Sequence, residues 1–292
     1  MKVGIIVPQG WTGEYTGWDA GRAWDRTTAV ARQAEALGFE SLWLFDHFHT
    51  VPKPRQDITF ESFTTLAGLA TTTKRARLGQ LVNCATYRNP ALVAKMISTL
   101  DTMSGGRMEL GLGAGWKEDE FRAYGYGFPS LAERHARLED ALIIANRMFH
   151  DEEAVYRGST ASVNGAINVP KPQQRPRIPI VVGGNGRNVT WRLAARHADE
   201  LNLDNVPVHE IEDALAVVAE RCAEVGRDAA TLPVSVHIWW ETLVNQDPVE
   251  LLRGYREAGV SRVMALVRES ATTDDALVRL REQAGDAGAE FD

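Results

Sequence analysis

The segment Phe45-Asp46-His47-Phe48-His49 sets a carboxylate beside an imidazole at the end of an apolar run. Such a pair can orient one another or a ligand, and imidazole trades a proton near neutral pH. The plainer alternative is an Asp46 that caps a loop next to exposed histidines. His47-x-His49 is also half of a metal site, but no carboxylate-rich motif elsewhere completes a shell, so no metal is expected. A second segment, Leu81-Val82-Asn83-Cys84-Ala85-Thr86-Tyr87-Arg88-Asn89-Pro90, turns from apolar to small and polar. Backbone there could approach a flat ligand, with Asn83 or Thr86 bonding to its edge; a plain strand end before a capped helix is the alternative. Cys84 has no neighbouring base and is a poor nucleophile candidate.

Two glycine clusters follow. Gly111-Leu112-Gly113-Ala114-Gly115-Trp116 permits close approach by a ligand or tight packing of strand against helix. Its G-x-G-x-G spacing is not the dinucleotide fingerprint, and it stands far from the first strand. Ile180-Val181-Val182 leads into Gly183-Gly184-Asn185-Gly186-Arg187-Asn188 and then a helical pattern. N–H groups at a helix start reached through glycines make an anion site, and Arg187 would add charge. Asn202-Leu203-Asp204-Asn205 and Trp239-Trp240-Glu241 are weaker candidates for ligand contact. The early loop with Trp11, Tyr15 and Trp18 could fold over a substrate, whereas Trp24 and Trp191 read as structural. No Ser-His-Asp order, P-loop or paired catalytic carboxylates are present.

These residues need elements to hold them. Short apolar runs alternate with helical patterns: 2–8, 41–45, 77–83, 108–113, 180–183, 200–203, 233–240 and 262–267 read as strands apolar on both faces, as in a covered parallel sheet. Val30, Ala34 and Leu37 mark a helix stopped by Gly38. Ile211, Leu215, Val218, Cys222 and Val225 form a stripe stopped by Gly226. Asp247-Pro248 and Asn89-Pro90 are helix starts. Eight β-then-α units predict an α/β fold, a (β/α)₈ TIM barrel, with a doubly wound open sheet as the alternative. In a barrel the site lies at the C-terminal ends of the strands, where every candidate above falls. Roughly 65 residues separate the fourth and fifth strands, far beyond a usual connection. Part of this is a helix carrying Leu138, Ala141, Leu142, Ala145 and Phe149; the rest, 150–179, reads as an insertion over the barrel mouth. No repeat or interdomain linker is visible, so residues 1–292 read as a single domain.

The chain has 292 residues, 44% hydrophobic and 24% charged, with a formal net charge of −7. This is globular composition, and the acidic balance argues against nucleic acid as a partner. No run of about 18 apolar residues would span a membrane, and the first residues do not read as a signal peptide. Two cysteines, Cys84 and Cys222, fit reduced thiols and a cytoplasmic location.

The sequence resembles the bacterial luciferase-like monooxygenase superfamily, specifically its coenzyme F-420-dependent oxidoreductases, common in actinobacteria. The resemblance rests on Gly38 through Trp43 to Asp46-His47, on Arg77-Leu78-Gly79 through Thr86 to Pro90, and most specifically on Leu100-Asp101 through Ser104-Gly105-Gly106-Arg107 to Gly111–Trp116. Pro170-Lys171-Pro172 to Gly184 and Ala194 to Glu200 also fit, and the last third is less distinctive. It implies a (β/α)₈ barrel with a deazaflavin or flavin ring across the mouth and its phosphate region at Gly183 and Gly184. A backbone bulge, often with a non-proline cis peptide, would fall near Leu81, Val82 and Asn83 against the ring. His47 would be the catalytic proton carrier and Asp46 would hold the cofactor side. Thr86, Gly113, Ala114, Gly115, Asn185 and Asn205 are further candidates for the cofactor cradle. Members acting on alcohols or sugars carry Glu after the third glycine, where this chain has Trp116 followed by Lys117-Glu118-Asp119-Glu120, so the acid role is open. The expected reaction is hydride transfer between coenzyme F-420 and a small-molecule substrate. FMN with a separate reductase, giving a monooxygenase, and a non-catalytic flavin-binding relative are the alternatives. Family habit implies a homodimer.

Overall fold

Each barrel strand is apolar on the side that meets a helix, and eight of them close into a parallel cylinder. The computed structural model describes residues 1–240 and 246–291. The barrel strands are β1 (Lys2–Ile6), β2 (Ser41–Leu44), β3 (Arg77–Gln80), β5 (Met108–Gly113), β8 (Ile180–Gly183), β9 (Glu200–Asp204), β10 (Val234–Trp239) and β11 (Arg262–Leu266). The short β4 (Asn83–Cys84) continues β3 beyond a break. β1 pairs with both β2 and β11, and pairing of β3 with β5 closes the ring. Helices α1 (Ala20–Ala36), α2 (Ser62–Thr72), α3 (Pro90–Ser104), α5 (Leu131–His150), α6 (Thr190–His197), α7 (Val208–Ala223), α8 (Pro248–Glu257) and α9 (Asp275–Asp286) return the chain outside. The expected TIM barrel is the observed fold.

Local signals explain the helix ends. Asn89 Oδ1 accepts from the N–H groups of Ala91 and Leu92, and Asp247 Oδ1 from those of Val249 and Glu250, each with proline in the first turn. Gly38 (φ 83°) and Gly226 (φ 69°) take the left-handed turn after α1 and α7. One detail of the stripe differs. α7 ends at Ala223, so Val225 falls past the helix and is exposed.

The long connection between β5 and β8 has two parts, and the second is not where expected. Residues 114–130, with a one-turn helix α4 (Glu118–Ala123), lie at the mouth. Residues 150–179, expected over the mouth, lie at the opposite end. α5 runs antiparallel to the strands, so its C-terminus delivers the chain to the N-terminal face, where β8 must begin. There a hairpin, β6 (Glu153–Arg157) and β7 (Ser162–Ile167), is tied to α5 through Asp140, which accepts from Tyr156 Oη (2.8 Å) and the Thr160 N–H (2.7 Å). Gln174 Nε2 donates to Asp101 Oδ1 at the end of α3 and to the carbonyl of Met108, both at 2.7 Å.

The N-terminal end of the barrel holds a charged layer. Arg262, 5% exposed, donates to Glu109 (2.8 and 3.0 Å), Glu200 (2.7 Å) and Glu40 (3.1 Å), and Arg77 also donates to Glu109. A cavity of about 340 Å³ opens between these groups. Their opposite charges pair, although Glu200 Oε1 and Arg262 Nε stay without a hydrogen-bond partner, and they lie at the face that serves stability in this fold. Burial raises the Glu109 carboxyl, but the charges of Arg262 and Arg77 outweigh it and hold the pKa at about 2. Burial leaves Glu200 raised.

Replacing Arg262 with Met strands these carboxylates in the interior and should cost about 3–5 kcal/mol in urea unfolding. Glu109 is lowered on folding, so its contribution is complete above the unfolded value of about 4.3 and fades as pH falls toward 2. Glu200 runs with the opposite sign. The variant should lose the Glu109 component of the acid transition, seen as a shallower stability loss between about pH 4 and pH 2.

Candidate active site

The end of β2 places Phe45, Asp46 and His47 in the mouth. Gln9 fixes the approach: its Nε2 donates to the carbonyl of Phe45 (2.9 Å), and its Oε1 accepts the Phe45 N–H (3.0 Å). Asp46 is 4% exposed and its carboxylate is crowded with donors. Ser62 Oγ (2.9 Å) and Arg88 Nη2 (2.9 Å) reach Oδ1. Cys84 N–H (2.9 Å), Arg88 Nη1 (2.8 Å) and Asn83 Nδ2 (3.3 Å) reach Oδ2. Arg88 also pairs with Glu61 at 2.7 Å. One carboxylate thereby ties β2, the segment after β3 and the start of α2 together.

Between β3 and β4 the Leu81–Val82 peptide bond is cis. Val82 crosses the inner faces of β5 and β8. A Cβ at Gly113 would sit 2.5 Å from Val82 Cγ2, and one at Gly183 would sit 2.8 Å from Val82 Cγ1. These two glycines make room for a side chain of the protein itself. Gly115 (φ 80°) likewise faces Cys84 and Phe121, with Ala114 half-buried beside it. Leu81 packs inside the barrel with Ile6, Trp43 and Met264. Asn83 Oδ1 and Thr86 Oγ1 are buried with no protein partner. Burial pushes the Cys84 thiol up to about 12, so it carries no thiolate near neutral pH.

His47 is 9% exposed and gripped from three sides. Its Nδ1 lies 2.7 Å from Glu120 Oε2, its ring stacks on Trp11 (centroids 4.4 Å, planes 8° apart), and Trp116 stands edge-on at 5.7 Å. Glu120 is fully buried. Its Oε1 accepts from the N–H groups of Phe48 (3.0 Å) and His49 (3.4 Å), and Tyr87 Oη donates to its Oε2 at 3.3 Å. Burial raises this carboxyl, but the hydrogen bond and charge of His47 and the two backbone donors overcome it, leaving the pKa below the ordinary value. An ionised Glu120 accepts the Nδ1 proton and turns Nε2 outward, where no described residue meets it.

The far wall is built by β8 to β10. Gly184 has φ 129°, outside the usual range of other residues. Asn185 stitches two strand ends, accepting the Asp204 N–H at 2.9 Å and donating to its carbonyl at 2.8 Å. Asn205 adopts φ 49° and donates its N–H to the carbonyl of His237. Asp204 Oδ1 lies 3.0 Å from His237 Nε2, and that bond holds the Asp204 carboxyl below its usual value. Val189 caps α6 without a side-chain acceptor. Arg187 is paired with Asp213 on the surface. Glu241 lies outside the described residues.

Asp46, Leu81, Val82, Asn83, Thr86 and Gly113 thus gather at the C-terminal ends of β2, β3 and β5, and Gly183, Gly184, Asn185 and Asn205 at those of β8 and β9. Sequence reasoning missed Glu120. Its one signal is an acidic triplet, Glu118-Asp119-Glu120, of which only the last is buried. It also missed the structural role of Arg88, and it read Trp11 as a loop aromatic that could fold over a substrate, without its stack on His47. Asp46→Ala would leave the buried Cys84 N–H without its side-chain acceptor and Arg88 with Glu61 alone. It should cost about 3 kcal/mol, read as a lowered thermal midpoint.

The luciferase-like monooxygenase family model matches residues 1–289. An uncharacterised protein of Mycobacterium tuberculosis is 28% identical over 263 residues, covering 85% of this chain and 89% of that one. An F420-dependent glucose-6-phosphate dehydrogenase of Kineococcus radiotolerans is 34% identical over 173 residues, covering 58% of this chain and 49% of the relative. The match therefore spans about half of that relative's length. Among solved structures, an F420-dependent secondary alcohol dehydrogenase bound to an F420-acetone adduct superposes with a TM-score of 0.82 at 17% identity, covering 98% of both chains. The shared fold and the near-complete family match mean that the chain belongs to the luciferase-like monooxygenase family.

Proposed function

We propose that the chain is an oxidoreductase that uses coenzyme F-420 to move a hydride to or from a small organic substrate, with His47 as the catalytic proton carrier. The observation that carries this reading is the Glu120–His47 pair, aimed at the mouth beside a cradle whose Asn83 Oδ1 and Thr86 Oγ1 lack partners. An amide oxygen and a hydroxyl left unpaired in the interior cost free energy that a heterocycle edge would recover. The names of the relatives support the same cofactor.

Asp46 is not free to bond a ligand with either oxygen, so it acts by holding Asn83 and Cys84 in place. Asn83, Thr86 and the backbone at 81–83 would hold the ring, and Gly184, Asn185 and the start of α6 its phosphate region. When bound, the reduced deazaflavin supplies a hydride. His47 supplies or removes the accompanying proton through Nε2, and Glu120 stabilises the ring when it carries both protons. Trp11 stacks over His47 and keeps water from one face. The chain works as a single domain, 1–292, and as a homodimer; two buried free thiols fit a reducing cytoplasm.

Parallel fluorescence titrations with F-420 and FMN test the cofactor. Saturable binding of F-420 with much weaker FMN binding is expected. Tight FMN binding alone would overturn the reading in favour of a two-component monooxygenase. His47→Ala should keep F-420 affinity within about threefold and lower kcat by about 100-fold; unchanged turnover would remove His47 from the chemistry.

A further inference from the structure

The surface around His47 is aromatic. Trp11 lies 4.4 Å from Phe45 and 5.6 Å from Trp239 between ring centroids, making one wall. Trp116 completes it from the other side of the imidazole. Trp11 and Phe45 are buried, but Trp116 is 64% exposed. A large apolar side chain left open beside the reacting group is a contact surface awaiting an apolar partner.

Three of the cations near this wall are engaged. Arg88 is held by Asp46 and Glu61, Lys117 by Asp119 (2.7 Å), and Arg268 donates to the carbonyl of Thr12 (3.1 Å). Lys53, two residues past Val51, is exposed. Residues 241–245 contain no Lys or Arg. Recognition of a phosphorylated substrate calls for positioned cations or converging N–H groups, and the wall offers two single ring nitrogens instead. These are His47 Nε2 and Trp11 Nε1, which is buried without an acceptor. Both suit one neutral oxygen.

We infer, on the footing of the F-420 reading, that the substrate is an uncharged compound with a flat aryl or cycloalkyl body and one carbonyl or hydroxyl oxygen, and that Trp116 is the residue selecting that body. In the reducing direction the carbonyl carbon takes the hydride supplied by the reduced deazaflavin. The carbonyl π pair moves onto oxygen, and oxygen takes the proton from His47 Nε2. The product is the alcohol and the cofactor is left oxidised. The oxidising direction reverses each step. A sugar phosphate does not fit this wall, although a relative's name carries one.

Isothermal titration of the full chain loaded with oxidised F-420, which holds no hydride to give, tests the inference without turnover. Acetophenone and glucose 6-phosphate are the probes, with Trp116→Ala and, as a remote surface control, Val225→Ala. Acetophenone should bind and glucose 6-phosphate should not. Trp116→Ala should weaken acetophenone binding about fivefold, while Val225→Ala and the F-420 affinity stay unchanged. Glucose 6-phosphate binding as tightly as acetophenone, or acetophenone affinity indifferent to Trp116→Ala, would overturn the inference and leave the F-420 reading standing. Failure of F-420 itself to bind would strike that earlier reading, and the same titrations on the unloaded chain would still judge the wall.

Discussion

The Asp46 carboxylate sits where three parts of the chain meet, the end of β2, the segment after β3 and the start of α2. Arg88 supplies its charge partner, Cys84 its backbone donor, and Ser62 and Asn83 fill the remaining lone pairs. A carboxylate this buried is tolerated only because its donors are so complete. The consequence runs outward in two directions. The segment after β3 is pinned with Asn83 and Thr86 beside the mouth, and the next residue after Asp46 is His47, delivered at a fixed angle to Glu120.

The two ends of the barrel use ionisable groups differently. At the N-terminal end Arg262, Arg77, Glu109, Glu200 and Glu40 form a network in which charge answers charge. At the mouth the pairs are arranged so that one polar edge stays open. His47 gives Nδ1 to Glu120 and keeps Nε2 free; Trp11, Asn83 and Thr86 each keep an atom without a partner. Charge pairing is concentrated at one end, and at the other the unpartnered atoms stand beside the mouth.

Much of this was legible in the sequence, because the signals were local. The β-then-α periodicity specified the barrel, and Asn89-Pro90 and Asp247-Pro248 marked helix starts that the structure keeps. The family motif placed a break near Leu81 and Val82. What was not legible depends on direction and on distance in the chain. The 150–179 segment looked like a cover for the mouth, since nothing local states that α5 has already carried the chain to the other end. Glu120 reaches His47 from 73 residues away, and its neighbours Glu118 and Asp119 present the same chemistry to solvent. Gly113 and Gly183 read as openings for a ligand, while the structure shows Val82 beside both.

The aim of His47 can be measured without cofactor or substrate. Nitrogen-15 NMR of the imidazole, recorded at a pH where the ring is neutral, reports which nitrogen holds the remaining proton. The Nδ1–H tautomer is expected, with its proton on the Glu120 carboxylate and the Nε2 lone pair facing the mouth. A ring protonated at Nε2, with Nδ1 bare against Glu120, would contradict the arrangement on which the proposed chemistry rests.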